Sequence, residues 1–213
     1  MGKDGIHKNV IVIGGGWSVS QFPLQQIDLR EHGLVIGVND SAIHARVHVA
    51  VTMDRLWLEN RAETLDFLNL PVHFRTGICK RIKEPRLGIP FKNNNSMGAG
   101  MSIVPGELYG DNSGACAVNL AFKQGSKNVY LLGFDMQNGP HGERHWYPPY
   151  PWSEGGGSSD GKLRQWSQEW ANFAQHFKQE DVVVKNVNTR SKLNNFPQIG
   201  WKHFMKEITD GRG

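Results

Sequence analysis

The run Asn9-Val-Ile-Val-Ile13, followed at once by Gly14-Gly15-Gly16, is the feature that most narrows the range of folds. Its β-branched residues leave no polar face, so the segment reads as a strand buried on both sides, as in a parallel sheet covered by helices. Glycines at the end of such a strand allow a sharp turn and close approach to the main chain, which is where α/β sheets hold phosphates. The pattern repeats along the chain. Leu34–Val38, Val47–Val51, Val72–Arg75, Val129–Leu132 and Val182–Val184 read as strands. Asp54 opens a helix with Leu58, Ala62, Leu65 and Leu68 on one face before Pro71, and a second helix runs from Ala115 to Lys123 and stops at Gly125. Leu163, Trp166, Trp170, Phe173, Ala174 and Phe177 keep helical spacing, which makes Trp166 and Trp170 core residues. Ser18 to Arg30 predicts a short helix interrupted by proline. The expected class is α/β: a Rossmann-like, mostly parallel sheet flanked by helices, one nucleotide-binding domain over 1–213 with irregular insertions or lids at 76–110 and 136–160.

Composition adds limits. The chain has 213 residues and no run near the roughly 20 apolar residues of a membrane span. Its N-terminal residues lack a secretory pattern and it has two cysteines, Cys79 and Cys116, outside any CxxC arrangement, so a reduced, cytoplasmic protein is expected. A net charge of +4 suits anionic ligands without specifying nucleic acid.

In an open α/β sheet the carboxyl ends of the strands line one crevice. The polar residues there are Ser18, Asn39, Asp40, Thr52, Asp54 and Asp135, with Asn112 and Ser113 opening a helix; Asp54 and Ser113 serve equally well as helix caps. Gly14, Gly15, Gly16, Trp17 and Ser18 match the first two glycines of a dinucleotide fingerprint, but Val19 stands at the third, and Asp40 occupies the position of a ribose-binding acid. The loop 136–160 holds His141 and His145 among Trp146, Tyr147, Tyr150 and Trp152. Histidine titrates near working pH and suits base catalysis on a hydroxyl, which nominates His145. A zinc site at His141 and His145 lacks further ligands. The four aromatics suit a sugar or base platform. The basic run Lys80, Arg81, Lys83, Arg86 and Lys92 reads either as a solvated loop or as a contact for an anionic acceptor or nucleic acid.

Val-Ile-Gly-Gly-Gly-Trp-Ser, Gly-Val-Asn-Asp, Asp54, Asn-Ser-Gly-Ala-Cys-Ala-Val, Val-Tyr-Leu-Leu-Gly-Phe-Asp and Asn-Thr-Arg-Ser-Lys-Leu-Asn-Asn-Phe-Pro, in that order between residues 9 and 197, resemble the motif series of bacterial lipooligosaccharide sialyltransferases. They are closer still to a group of phage and bacterial proteins related to them. The resemblance implies a Rossmann-like sheet that binds a nucleotide sugar without metal, with the first glycine loop, Asn39 and the Ser113-Gly114 pair at the donor. The absence of an Asp-x-Asp pair agrees with a metal-free site. The chain departs from the sialyltransferases at one point: their basic histidine precedes the last long helix, and Gly155 to Gly161 contains none.

The resulting expectation is a metal-independent glycosyltransferase using a nucleotide-activated sugar, with no cofactor. His145 is the base, Tyr147 or Tyr150 donates to the leaving phosphate, and Trp146, Trp152, Lys80 and Arg81 face the acceptor, a glycan or phage or host DNA. A homo-oligomer is compatible with this reading. The alternatives are a non-catalytic nucleotide- or nucleic-acid-binding protein of the same fold and, on the glycine turn and Asp40, an NAD-dependent oxidoreductase.

Overall fold

The computed structural model describes residues 8–78, 85–93, 101–152 and 160–210. Its strands are β1 (Asn9–Ile13), β2 (Leu34–Val38), β3 (Val49–Thr52), β4 (Val72–Arg75), β5 (Gly88–Asn93), β6 (Glu107–Leu108), β7 (Asn128–Leu132) and β8 (Val183–Asn186). They form one parallel sheet in the order β6-β5-β4-β3-β2-β1-β7-β8. The helices are α1 (Ser41–His44), α2 (Arg55–Phe67), α3 (Ser113–Lys123), α4 (Asp160–Gln179) and α5 (Trp201–Asp210).

Because side chains alternate along a strand, β1 feeds two cores. Val10 and Val12 pack with Ala117, Val118 and Ala121 of α3 and Trp170, Phe173 and Phe177 of α4. Ile11 and Ile13 pack with Trp57, Leu58 and Leu65 of α2 and Phe204 and Ile208 of α5. The sheet is the middle layer of three, the arrangement expected when strands have no polar face.

Three expectations are corrected. The segment 76–110 is not wholly irregular, since β5 and β6 extend the sheet past β4. Pro90 is tolerated in β5 because Lys92, two residues on, sends its N–H outward to Gly106 O at 2.8 Å. The donor that Pro90 lacks therefore lies on the outer side, where β6 pairs only with Lys92 and Asn93. Asn119 of α3 holds the approach to β6: its Oδ1 accepts from Ser102 N–H and Tyr109 N–H, and its Nδ2 donates to Ser102 O. Ser18 to Arg30 forms two short 3-10 turns, Trp17–Gln21 and Leu29–Glu31, with Pro23 between them, instead of a helix. Helices α1 and α5 were not expected.

Burial sets the acid response. His73 on β4 is held neutral, its pKa lowered to about 4 by burial and then by Lys123. The unfolded chain binds this proton near pH 6.5 and the folded chain only near 4, so stability present above 6.5 is lost as pH falls through that window, on the order of 3 kcal/mol in all. Melts of wild type and His73→Leu between pH 7 and 4 should show a shallower decline in the variant. Parallel curves would contradict this account of His73.

Candidate functional site

Strand order reverses beside β1: successive strands run outward through β2 to β6 on one side and through β7 and β8 on the other. Loops leaving the carboxyl ends of β1 and β7 therefore diverge, and a crevice opens between them. The cleft has a volume of about 480 Å³ and is lined by Gly14, Gly15, Gly16, Asn39, Asp54, Asn112, Ser113, Gly114, Asp135, His145, Tyr147 and Tyr150, all expected at the site.

The buried carboxylate of Asp135 ties the cleft together. Its Oδ2 accepts from Ser18 N–H at 2.8 Å, and its Oδ1 accepts from Ser18 Oγ at 2.5 Å and Asn188 Nδ2 at 2.8 Å. Ser191 Oγ donates to Phe134 O, and Lys192 N–H donates to Asp135 O, so the late Asn-Thr-Arg-Ser-Lys motif braces the turn after β7. An anion already sits on the first turn after β1, where a dinucleotide's pyrophosphate would bind. Gly14 and Gly16 also commit their N–H groups, to Leu132 O and Gly133 O. The glycines thus serve close packing first. A Cβ on Gly16 would lie 2.5 Å from Gly133 O and 2.6 Å from Asp135 Oδ2, whereas one on Gly15 would meet His145 Nδ1 and Tyr147 OH, each at 2.9 Å.

Residues 145–152 are pinned over the glycine turn. Trp146 N–H donates to Gly15 O, and Trp146 Nε1 donates to Ser41 Oγ, which itself donates to Gly14 O. His145 Nδ1 lies 3.3 Å from Gly15 O. A carbonyl only accepts, so Nδ1 carries the proton and Nε2 is the basic nitrogen. Burial lowers the His145 pKa, opposed by the Gly15 hydrogen bond and helped by Arg144, so the ring is neutral at neutral pH. His145 stacks on Tyr147 with centroids 5.0 Å apart, and the Tyr147 and Tyr150 hydroxyls are 3.2 Å apart. Burial raises both phenols, Tyr150 to about 12, so both stay protonated. Tyr150 stacks on Trp152 at 5.1 Å, and Arg61 of α2 lies 5.0 Å above the Trp152 ring.

Several expected residues lie elsewhere. Asp40 is buried and bound by Arg61 through two hydrogen bonds of 2.9 and 2.8 Å and by Trp57 Nε1 at 2.7 Å, so it holds α2 rather than a ribose. Thr52 is buried, and its Oγ1 accepts from Asp54 N–H. Ser18 is buried on Asp135. Trp17 lines a neighbouring depression instead of the cleft. Trp146 and Trp152 pack behind the tyrosines and do not line the cleft. Trp166, expected in the core, is half-buried and lines the cleft, while Trp170 is in the core. Asp54 and Asn112 do both jobs: they cap α2 and α3 through Trp57 N–H and Ala115 N–H and still face the cleft, and Ser113 Oγ accepts from Met53 N–H. Lys80, Arg81 and Cys79 lie outside the described residues, and Arg86 of the basic run is tied to Asp66 and Asn69. His141 is exposed, and among the described residues no three His, Cys, Asp or Glu side chains are grouped to hold a metal.

The cleft also contains residues that sequence reasoning missed. Arg75 and Arg144 line it, as does Asp111, whose carboxyl is raised by burial. Arg75 ends β4, the position that flagged Asn39 on β2, and the same rule could have found it. Two polar atoms in the cleft wall are buried without a partner among the described residues: Asn39 Oδ1 and Asn112 Nδ2. Buried polar atoms are normally satisfied, so these are the positions where a ligand would be read.

No protein-family model matches the chain, and no curated protein matches it. Among solved structures, the chain is similar to the structure of MAf glycosyltransferase from Magnetospirillum magneticum AMB-1, with a TM-score of 0.59 and 13% identity over 91% of this chain and 34% of that one. The two share a Rossmann-like α/β fold, and the chain spans about a third of that structure's length (34%). No described helix is long and apolar enough to cross a membrane.

Two substitutions separate packing from ligand contact. Gly16→Ala meets backbone and should lose about 1–3 kcal/mol by overpacking, a Tm drop of roughly 2–10 °C. Asn39 has φ 50°, so alanine would strain the backbone and Asn39→Gly is the cleaner test. Asn39→Gly should keep its Tm within a few degrees yet bind nucleotide about tenfold or more weakly, a loss of roughly 1–3 kcal/mol. A Tm collapse with unchanged affinity would assign Asn39 to structure alone.

Proposed function

We propose that the protein is a glycosyltransferase that takes its sugar from a nucleotide-activated donor bound in this cleft and passes it to an acceptor hydroxyl without a metal. The observation that carries the reading is His145: a neutral imidazole, protonated at Nδ1 by its contact with Gly15 O, in the wall of the switch-point cleft. Its Nε2 takes the acceptor proton as the hydroxyl attacks the anomeric carbon opposite the departing phosphate. Of the paired hydroxyls of Tyr147 and Tyr150, one donates to the other and the second donates to the phosphate as charge develops on it. Arg75 and Arg144 supply positive charge to the phosphates in the role that a metal fills elsewhere. Asn39 Oδ1 and Asn112 Nδ2 gain partners from the donor.

The shared fold with a glycosyltransferase and the resemblance to lipooligosaccharide sialyltransferases and their phage and bacterial relatives support this reading; His145 then replaces the histidine missing from Gly155–Gly161. The oxidoreductase alternative loses both supports, because Asp40 is bound by Arg61 and Asp135 already caps the first turn.

The test is a panel of CMP-, UDP- and GDP-sugars scored by thermal shift and by nucleotide release, with water or an added methyl glycoside taking the sugar. A ligand at 100 times its Kd raises stability by about 2.7 kcal/mol. At least one donor should stabilise the protein and release nucleotide, and His145→Gln should slow release about a hundredfold or more with affinity nearly unchanged. Normal turnover in His145→Gln would remove the base assignment, and binding without release by wild type would favour the non-catalytic alternative.

A further inference from the structure

A second depression of about 240 Å³ opens at the carboxyl ends of β1, β7 and β8, half the volume of the cleft. Asp135, Gln137 and Asn138 line both spaces, so the two share a wall. We propose that this depression is the acceptor subsite and that it holds one pyranose ring of an acceptor glycan. The inference rests on the glycosyltransferase reading of the cleft.

The chemistry of the walls selects the ligand. Trp17 contributes an indole, Gln21, Gln137, Asn138 and Asn188 contribute amides, and Arg190 contributes a guanidinium. The one carboxylate, Asp135, is already bound by Ser18 and Asn188. Amides donate and accept, as a ring of hydroxyls requires, and the indole N–H of Trp17 adds a donor. A phosphate would want more cations, and an apolar ligand would want a greasier wall.

The site is also built. A Cβ on Gly139 would lie 2.6 Å from Trp17 Cγ and 2.8 Å from Trp17 Cδ1, so only glycine lets the chain lie directly on the indole. Gly139 N–H donates to Glu143 O and Gly142 N–H to Gly139 O, which closes that turn. Behind it, Gln137 Nε2 donates to Arg190 O, Arg190 N–H donates to Asn188 Oδ1, and Asn188 Nδ2 donates to Asp135. The frame is thus fixed by hydrogen bonds. Against it, the side chains of Gln21, Asn138 and Arg190 have no hydrogen bond to another described residue and remain available to a ligand.

The test is an NMR titration of isotope-labelled protein with methyl β-galactoside, methyl β-glucoside and methyl N-acetyl-β-glucosaminide at millimolar concentrations. At least one should shift the Trp17 indole N–H and the Asn138 amide saturably, and the double variant Gln21→Ala/Arg190→Ala should weaken that binding about tenfold or more. The shifts should persist when the cleft is saturated with the donor that the nucleotide-sugar panel identifies. Displacement by the intact donor but not by its free nucleotide would make this the seat of the donor sugar and overturn the acceptor assignment. Absence of saturable shifts for all three glycosides, or binding that survives the double variant, would overturn the site itself. Nucleotide titrated into the same sample reads the cleft separately, so failure of the donor reading and failure of this one give different results.

Discussion

The hydrogen bonds of Asp135 hold together three segments beside the cleft. The carboxylate joins the turn after β1, through Ser18, to the turn after β7 and to the late Asn188 segment beyond β8. A parallel sheet whose strand order reverses beside β1 leaves these loops diverging, and a gap at that edge fills with water unless something spans it. Asp135 spans it within the chain. Its carboxylate occupies the first turn, and Arg75, Arg144 and the start of α3 line the cleft.

A second device presents the aromatic loop. Asp40, buried at the end of β2, fixes Arg61 on α2; Arg61 covers Trp152, Trp152 stacks on Tyr150, and Tyr147 carries His145 to Gly15. Each contact is modest alone, with a cation–π pair worth about 0.5–2 kcal/mol. In series they orient the imidazole, while its burial keeps it neutral against the opposing charge of Asp40. The loop 136–160 reads from sequence as an irregular insertion or lid, whereas 145–152 are anchored by Trp146 on Gly15 and Ser41.

The legible parts of the fold were those where one signal dominates. The strands of the centre, β1, β2, β3 and β7, are short, mostly apolar runs that cannot face water, and the α4 stripe has a single period. Strand β5 was hidden by Pro90, since what permits it is the shortness of β6, a tertiary fact. Helix α5 carried a usable signal, because Trp201, Phe204, Met205 and Ile208 keep helical spacing. At the site, strand-end logic found Asn39, Asp54 and Asn112 but could not tell Asp40 from its neighbour. That distinction depends on Arg61, whose approach to Asp40 requires the packing of α2 on the sheet. Trp166 was read as core because periodicity places a residue on a face but not at the end of that face where the cleft opens.

The account turns on a neutral His145 acting as base beside a bound nucleotide sugar. The most direct measurement is the pH dependence of single-turnover nucleotide release with an identified donor and acceptor. The account predicts a rate that rises with pH through an apparent pKa below the usual imidazole value of about 6.5 and is level by neutrality, the limb disappearing in His145→Gln. A wild-type profile that His145→Gln leaves unchanged would contradict it.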